Sequence, residues 1–176
     1  MLGPVGSFSY LASRKLGSRF RKKFAASFSQ IFKSVRAGSY GFVPVRNSSI
    51  GEIAEVKKML DIRKFEIIKR VRFPIRHAIV AKRKIKLGEI RKIYCSKIIA
   101  AQCRKFLRSR LKNARIMAQK VSSTSLYKKI AHEGDFFAAT IGPAQCAKMY
   151  KLTVLARGVQ DDPRNCTTFV LFRRRK

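Results

Sequence analysis

Acidic residues are scarce in this sequence. Its 176 residues include 9 Asp and Glu against 41 Lys and Arg, which gives a formal net charge of +32 at pH 7. So many like charges repel one another in a compact fold unless polyanions neutralise them. The charge therefore predicts a polyanionic partner, and nucleic acid is the one we expect.

Patterns typical of metal sites, secreted proteins and membrane proteins are also missing. The four cysteines form no C-x-x-C pair and are accompanied by two histidines, so we expect no metal and no cofactor. Cysteines scattered among apolar neighbours are typical of reduced, buried thiols and favour a cytoplasmic protein. No apolar run reaches the roughly 18 residues that span a bilayer, and the first residues lack the pattern of a signal peptide. We therefore expect no membrane partner.

Apolar residues are abundant enough for a folded core, since they make up 46% of the chain. Short β-branched runs alternate with longer segments of helical spacing, which predicts an α/β domain with a mostly parallel or mixed sheet. The predicted strands are 40–45, 66–73, 91–95, 115–121, 137–141 and 167–172. The predicted helices are 9–16, 27–37, 51–60, 98–114, 125–132 and 145–150.

Segment 98–114 is the clearest predicted helix. Its apolar residues recur at spacings of three and four and share one face; they are Ile99, Cys103, Phe106, Leu107 and Leu111. The opposite face is basic and has no acidic residue four positions away to pair with; its cations are Lys97, Arg104, Lys105, Arg108, Arg110, Lys112 and Arg115. This face favours contact with nucleic acid, and a merely solvated cationic face is the alternative.

Short motifs follow one another in a fixed order along nearly the full chain. They are LGPVGSFS at 2–9, YGFVPVRNS at 40–48, PIRHA at 74–78, QC at 102–103, SST at 122–124, ATIG at 139–142, YKL at 150–152 and GVQDDPRNCTTF at 158–169. Together they resemble the prephenate dehydratase domain, the enzyme that dehydrates and decarboxylates prephenate to phenylpyruvate. The last motif is close to that family's terminal G-I-Q-D-D-x-x-N-x-T-R-F.

The resemblance implies a two-lobed α/β fold, similar to that of periplasmic binding proteins, with the active site in a cleft between the lobes. By that analogy residues 1–73 together with 164–176 form lobe 1, and residues 74–163 form lobe 2. Family members often carry a C-terminal regulatory domain that binds phenylalanine. This chain stops at Lys176, so no regulatory domain is expected.

The resemblance breaks at positions that the family uses for catalysis. A threonine stands where the terminal motif has an arginine, whose planar guanidinium suits a substrate carboxylate. The family's S-H-P-Q segment is replaced, and an arginine takes the place of a glutamate. The positions that differ are Arg46, Cys95, Ser96, Lys97, Ile98 and Thr168.

Three family positions do match, namely Asn47, Gln102 and Thr167. Removing several members of one preorganised site leaves little to hold prephenate or to stabilise charge in the transition state. We therefore expect no catalytic residues and interpret the three matching positions as vestigial. The alternative is a variant site in which Lys97 or Arg46 replaces the missing carboxylate clamp.

Charge spread over the whole chain favours a structural protein of the ribosome, built on an inactivated dehydratase domain and bound to rRNA and to neighbouring ribosomal proteins. No DNA-reading motif is visible. The predicted contact residues are Arg19, Arg21, Lys22, Lys23, Lys82, Arg83, Lys84, Lys86, Arg104, Lys105, Arg108, Arg110, Lys112, Arg173, Arg174, Arg175 and Lys176. Two alternatives stay open: an active prephenate dehydratase, and a nucleoid protein that coats DNA without sequence preference.

Four aromatic residues near these cations are candidates for stacking on unpaired bases. They are Phe20, Phe24, Tyr94 and Tyr127. Packing in the hydrophobic core is the interpretation we favour for each ring.

Overall fold

The computed structural model describes residues 1–61, 63–119, 123–132 and 134–175. They form two compact units, Met1–Ile75 with Arg164–Lys176, and Arg76–Pro163. The lobe boundary predicted after residue 73 lies two residues before the first of these breaks. Ser122 of the SST motif, the last residues of the predicted strand 115–121, and Lys176 lie outside the described residues.

The first unit is built on a four-stranded antiparallel sheet in the order β2-β1-β9-β3. Its strands are β1 (Gly41–Asn47), β2 (Gly51–Glu52), β3 (Phe65–Pro74) and β9 (Cys166–Arg174). Strand β9 comes from the far end of the chain and pairs on both sides. Its residues from Phe169 to Phe172 are buried, so the C-terminal strand is the centre of this unit.

Helices cover both faces of that sheet. Helix α1 (Phe8–Ser13) begins at Ser7, whose hydroxyl accepts the backbone N–H of Tyr10 at 3.2 Å. One face carries the cluster Ala12, Phe42, Val71, Phe169 and Leu171. On the other face, α2 (Phe28–Ser34) and α3 (Ala54–Met59) contribute to the cluster Ile31, Val35, Val43, Val56, Val170 and Phe172. Alternate residues of β9 thus point to opposite faces.

The second unit contains a mixed five-stranded sheet in the order β6-β5-β7-β4-β8. Its strands are β4 (His77–Ala81), β5 (Lys92–Cys95), β6 (Arg115–Ala118), β7 (Ala138–Pro143) and β8 (Thr153–Arg157). Strand β5 runs parallel to β6 and β7, whereas β4 is antiparallel to β7 and β8. The predicted mixed sheet is found here, and a mostly parallel sheet is wrong for both units.

The predicted helix 98–114 is wrong, because two short helices occupy this segment. Helix α4 (Lys97–Gln102) ends at Cys103, which has φ −119° and ψ 20°, and α5 (Arg104–Arg110) follows it. The carboxylate of Asp161 accepts the backbone N–H of Lys105 at 3.0 Å, so it caps α5 from a distant segment. The spacing of apolar residues within segment 98–114 cannot predict this cap, because Asp161 is distant in the sequence. The unit is completed by α6 (Ser123–His132) and α7 (Ala144–Met149).

Most other predicted elements are present with shifted ends, and one differs in kind. Segment 51–60, predicted as one helix, begins with strand β2 and continues as α3. Strands β4 and β8 were not predicted. All five residues of β4 are buried. Its short sequence therefore lacks the alternation of apolar and polar residues that marks a half-buried strand, which explains why β4 is missing from the prediction.

Candidate functional site

A buried amide network joins the ends of β1 and β9. The side-chain nitrogen of Asn47 lies 2.8 Å from Oδ1 of Asn165, 2.9 Å from Oγ1 of Thr167 and 3.1 Å from the carbonyl oxygen of Cys166. Its Oδ1 accepts the backbone N–H of Ser49 at 2.9 Å. Asn47, Asn165 and Thr167 are all buried. Two of the three matching family positions, Asn47 and Thr167, therefore meet in one cluster.

The contact with Asn47 orients the Thr167 hydroxyl. Because Oγ1 of Thr167 accepts a hydrogen bond from the Asn47 amide, the hydroxyl proton points away from Asn47. Only 7% of the Thr167 surface is exposed, so this proton is offered in a site with little competing water. Such a hydroxyl can donate its proton or a hydrogen bond to an incoming oxygen atom.

Two arginines flank Thr168, the position where the family motif has its arginine. In the sheet register Thr168 lies opposite Arg46 of β1 on one side and opposite Arg72 of β3 on the other. Directly opposite residues of an antiparallel pair share a face and have Cβ atoms about 5 Å apart. Both arginine side chains are exposed, and Thr168 is half-buried. The missing guanidinium is thus bracketed by two others on one face.

The surroundings of the two arginines differ in their contacts. Nη2 of Arg72 lies 3.4 Å from the Cys166 sulfur, on the same strand face two residues before Thr168. Arg46 lies opposite Glu52 in the register with β2. The Glu52 carboxylate is bonded to Lys57 at 2.6 Å, and its pKa is lowered chiefly by Lys57 and to a smaller extent by Arg46. One carboxylate therefore faces two cations, which leaves a net positive charge.

The third matching position, Gln102, belongs to a separate network in the second unit. Its Oε1 lies 3.0 Å from Nε2 of His77, and its backbone carbonyl accepts the N–H of Asp161 at 2.7 Å. The backbone N–H of His77 donates to Oε1 of Gln160 at 2.9 Å. The ring of His77 is buried, and desolvation lowers its pKa although the Gln102 bond raises it. Gln102 thus holds a neutral imidazole in place.

Because of His77, we expect the protein to lose stability as the pH falls below about 6.5. The folded-state pKa lies below the unfolded one, so the unfolded chain takes up the proton first as the pH falls. The stabilisation from the neutral ring is complete above the unfolded pKa and is lost below it. Urea unfolding at pH 7.5 and at about pH 5.5 measures the difference. His77→Gln should reduce this pH dependence, whereas a matched change at the exposed His132 should keep it; equal slopes in both variants would contradict this interpretation.

The replaced S-H-P-Q segment forms the junction of β5 and α4. Cys95 is fully buried, and burial raises the pKa of its thiol to about 11. The Ser96 hydroxyl caps α4 by accepting the N–H of Ile99 at 3.2 Å. Lys97 and Ile98 are exposed on the first turn. Cys95 packs in the core and Ser96 caps a helix, so both contribute to the fold. A substrate contact by Lys97 stays a prediction.

The predicted RNA-binding cations are found in both units. Their described side chains are exposed, except for Lys22 and Lys82, which are half-buried. Arg19, Arg21, Lys22 and Lys23 line a pocket of about 660 Å³ together with apolar side chains. Helix α5 carries Arg104, Lys105, Arg108 and Arg110, whereas Lys112 follows that helix. Lys84 and Lys86 belong to the loop after β4, and Arg173, Arg174 and Arg175 are at the end of β9 or just beyond it.

Two of the four candidate stacking rings are in the core. Tyr94 is 7% exposed, and Tyr127 is fully buried with its hydroxyl donating to the carbonyl of Pro143 at 2.9 Å. The favoured interpretation, core packing, is therefore confirmed for these two tyrosines, and stacking on bases is excluded for them. Phe24 is exposed and Phe20 half-buried, and for them stacking stays a prediction. Phe136, which was not predicted, is among the most exposed aromatic rings of the described chain, at 43%.

The described residues also bear on the expectations for thiols, metal sites and membrane spans. Cys95, Cys103 and Cys146 are buried free thiols, as predicted, and Cys166 is half-buried beside Arg72. Within the described ranges, no three His, Cys, Asp or Glu side chains form a group that could hold a metal ion. No helix in the described part of the chain is both long and apolar enough to cross a membrane.

Arg72 and Asn165 are site residues that the sequence did not single out. Asn165 is part of the motif GVQDDPRNCTTF, two residues before Thr167. Its place in the motif could have identified it as a site residue. Arg72 has no motif of its own. Its position opposite Thr168 follows from the register of β3 against β9, which local sequence does not define.

Comparison with known proteins agrees with these observations. A family model described as prephenate dehydratase matches residues 1–176. The bifunctional chorismate mutase/prephenate dehydratase of Buchnera aphidicola subsp. Baizongia pistaciae is 29% identical over 181 residues, which cover 99% of this chain and 48% of that protein. The Escherichia coli K12 protein of the same name is 30% identical over 180 residues, covering 99% and 46%. The chain thus spans about half the length of the curated relatives it matches.

The solved structures support the fold. The prephenate dehydratase of Arthrobacter aurescens in complex with L-Phe superposes with a TM-score of 0.86 at 26% identity, and the match covers 99% of this chain and 59% of that one. The α/β class and the relationship to this fold, both predicted from the sequence, are confirmed.

Proposed function

This chain belongs to the prephenate dehydratase family, and we propose that it is itself an active prephenate dehydratase with a rearranged anion-binding site. The observation that carries this proposal is the buried contact between Asn47 and Thr167, in which both residues occupy matching family positions. Vestigial residues, the interpretation that the sequence favours, need not keep this geometry. An intact, buried and oriented hydroxyl favours retained chemistry instead.

The proposed reaction turns prephenate into phenylpyruvate, carbon dioxide and water. The ring carboxylate leaves as carbon dioxide, and the electron pair of the broken C–C bond enters the ring. The C–O bond of the ring hydroxyl breaks, and that oxygen takes up a proton and leaves as water. The protein must therefore hold a dianion and supply one proton to the leaving oxygen.

Thr167 is the proposed donor to the leaving oxygen. A threonine hydroxyl is a weak acid, so it acts first by hydrogen bonding to the oxygen as negative charge develops there. As its proton passes to the leaving oxygen, a solvent water returns a proton to the Thr167 oxygen, and the hydroxyl is regenerated. The Asn47 amide supports this role because it accepts no proton from Thr167 and leaves the hydroxyl free to donate outwards.

Arg46 and Arg72 are the proposed carboxylate-binding residues. A guanidinium binds a carboxylate with two parallel hydrogen bonds, and a dianion suits two guanidinium groups. Thr167 and Thr168 point to opposite faces of the sheet, so one ligand can meet Thr167 and both arginines only at the end of the sheet. The reach of Arg72 toward Cys166, the first residue of β9, is consistent with that arrangement.

Dehydration of prephenate replaces the ribosomal role as the main proposal. The family match supports the enzyme, whereas neither the comparisons nor the described geometry supports binding to the ribosome. Coating of DNA and association with rRNA stay predictions from charge alone. The sequence offers Lys97 or Arg46 as a replacement for the carboxylate clamp. Arg46 is one of the two carboxylate-binding residues proposed here, whereas binding by Lys97 stays a prediction.

The purified 176-residue chain should convert prephenate to phenylpyruvate, detected by the absorbance of its enolate against a sample without protein. Thr167→Val removes the hydroxyl and keeps the shape, so we expect kcat to fall about a hundredfold, a typical loss for a proton donor. The same change at Thr153, on the edge strand β8, is the matched control and should leave kcat within about twofold. A folded wild-type chain that leaves prephenate unconsumed would overturn the proposal.

A further inference from the structure

We propose that one end of the five-stranded sheet is a binding site for single-stranded nucleic acid, separate from the proposed dehydratase site. We call it the basic end and define it by Lys82, Arg83, Arg91, Lys92, Arg115 and Phe136. These residues come from four distant segments of the second unit. The sequence predicts Lys82 and Arg83 as RNA contacts and places Arg115 on the basic face after Lys97, but it gives no reason to group these three with the others.

The sheet topology brings the basic end together. Strands β5, β6 and β7 are parallel, and Lys92 lies in register with Arg115 of β6 and Ala138 of β7. Strand β4 runs the other way, with Ala81 opposite Ala139. The residues that follow β4 therefore lie at the same end as the residues that precede β5, β6 and β7.

Backbone hydrogen bonds hold these segments side by side. The N–H of Arg91 donates to the carbonyl of Phe137 at 2.9 Å, and the N–H of Arg115 donates to the carbonyl of Arg91 at 2.8 Å. The segments before β5, β6 and β7 thus form a continuous layer. The spacing of their cations is set by the rigid sheet, which favours binding of a repeating phosphate backbone.

Cationic side chains surround two phenylalanines at this end. The Arg83 guanidinium lies 4.6 Å from the Phe136 ring centre and 5.7 Å from that of Phe137, and the Lys82 ammonium lies 5.2 Å from Phe136. Arg91 lies 4.7 Å from the Phe137 ring. Cation–π contacts of this kind hold guanidinium planes beside the rings.

An exposed phenylalanine among arginines is suited to unpaired bases. Phe136 is 43% exposed, and an exposed aromatic ring or a guanidinium plane can stack on a base only where that base is not already stacked within a duplex. The cations supply the phosphate contacts. This combination favours a single strand over a double helix, in which the base faces are inaccessible.

The described carboxylates around the basic end each make specific hydrogen bonds. Asp135 is bonded to Lys92 at 3.0 Å, and the Phe137 backbone N–H is also directed at its carboxylate. The Glu89 carboxylate accepts the backbone N–H of Lys86 at 2.6 Å. Among the described residues around the basic end, cations therefore outnumber carboxylates, and Arg83 and Arg91 pack against rings.

The basic end and the His77–Gln102 network lie at opposite ends of this sheet. The basic end is at the amino ends of β5, β6 and β7, whereas His77 begins β4 and pairs with Pro143 at the end of β7. The five residues of β4 separate the two ends by about 13 Å. The basic end shares no residue with the proposed dehydratase site, because Arg46, Arg72 and Thr167 belong to the first unit.

The test measures binding of the full chain to a fluorescent 12-nucleotide oligouridine by anisotropy at several salt concentrations. Phe136→Ala should weaken binding about tenfold, as expected for loss of one stacked base. The matched control is Tyr40→Ala, because the Tyr40 ring is 43% exposed, as that of Phe136 is, but lies in the first unit; this variant should bind within about twofold of wild type. Thermal unfolding of both variants checks that they remain folded.

A second pair of variants tests the cations. Changing Lys82, Arg83 and Arg91 together to glutamine should reduce the slope of log K against log salt by about 2, since each phosphate contact to a single strand contributes about 0.7. The same change at Lys33, Lys58 and Arg63, which are exposed in the first unit, removes equal charge and should leave the slope nearly unchanged.

The outcomes separate the sources of the ligand. Tight binding of oligouridine or of the matching oligodeoxynucleotide, lost in the basic-end variants, supports the site and identifies RNA or DNA as the preferred strand. Preference for a duplex of the same length, or equal losses in the two sets of variants, would overturn the proposal. Prephenate turnover of Phe136→Ala should equal that of wild type, so this outcome does not depend on the dehydratase result.

Discussion

Replacing Arg46 and Arg72 together by methionine is expected to lower kcat/KM for prephenate about a thousandfold, mostly through a higher KM. Each charged hydrogen-bonding contact contributes about 1.5–3 kcal/mol, so losing two corresponds to roughly a hundredfold to ten-thousandfold. The substrate carboxylate that does not react is present in both the ground state and the transition state. Loss of the arginine contact with it therefore weakens both states and acts mainly on KM. Steady-state kinetics with the purified variant measure the effect.

Matched variants separate a specific clamp from general charge. Arg36 is exposed in a loop of the same unit, and Arg36→Met removes one charge without touching the site, so its kcat/KM should stay within about twofold of wild type. The single variants Arg46→Met and Arg72→Met should each lose less than the double variant. If all three single variants lose activity equally, the cations act by steering the substrate and the proposed clamp is wrong.

Rescue at Thr168 gives the sharpest test of the clamp. Thr168 lies between Arg46 and Arg72 in the register, so Thr168→Arg restores the arginine of the family motif in the gap between them. In the double methionine variant this change should recover at least tenfold of kcat/KM. In the wild-type protein it should add little, because the new guanidinium meets two existing ones and is repelled by them. A large gain in the wild type with no rescue of the double variant would contradict the proposal.

The contrast between Thr168 and Arg72 shows which part of the site could be predicted from sequence. The motif around Thr167 identifies a lost arginine by position alone. The position of Arg72 beside Thr168 depends on strand pairing, because Arg72 is far away along the chain and becomes a neighbour only when β3 pairs with β9. The sequence therefore predicts the loss of the motif arginine, but it does not predict that arginines of the two neighbouring strands lie beside the gap.

Helix α5 and the basic end illustrate the same limit in the second unit. Apolar spacing predicted one helix through Cys103, but Asp161, more than fifty residues later, caps a new helix at Lys105. Likewise, charge density predicted Lys82 and Arg83 as contact residues. Their grouping with Arg91 and Phe136 depends on the order and direction of β4, β5 and β7. Periodicity reports which face of an element is apolar; it does not report which distant segment adjoins it.

Gly41→Ala is expected to destabilise the fold by about 3 kcal/mol, near the upper end of the usual range for overpacking a core. A Cβ atom at Gly41 would lie 2.2 Å from Cζ and 2.4 Å from Cε1 of Phe172, its cross-strand partner. The ring cannot easily move away, because Phe172 is fully buried, stacks on Phe32 at 4.8 Å and meets Phe65 edge-on at 5.2 Å.

Urea unfolding of Gly41→Ala against Gly88→Ala isolates the effect of the ring, because a Cβ at Gly88 would meet nothing within 4 Å. Gly88→Ala should change the free energy of unfolding by less than about 1 kcal/mol. Phe172→Leu removes the atoms that clash, so adding Gly41→Ala to it should destabilise much less than adding it to wild type, a coupling that a double-mutant cycle measures. Unchanged stability of Gly41→Ala would show that the Phe172 ring moves away from the added methyl group and would contradict the prediction.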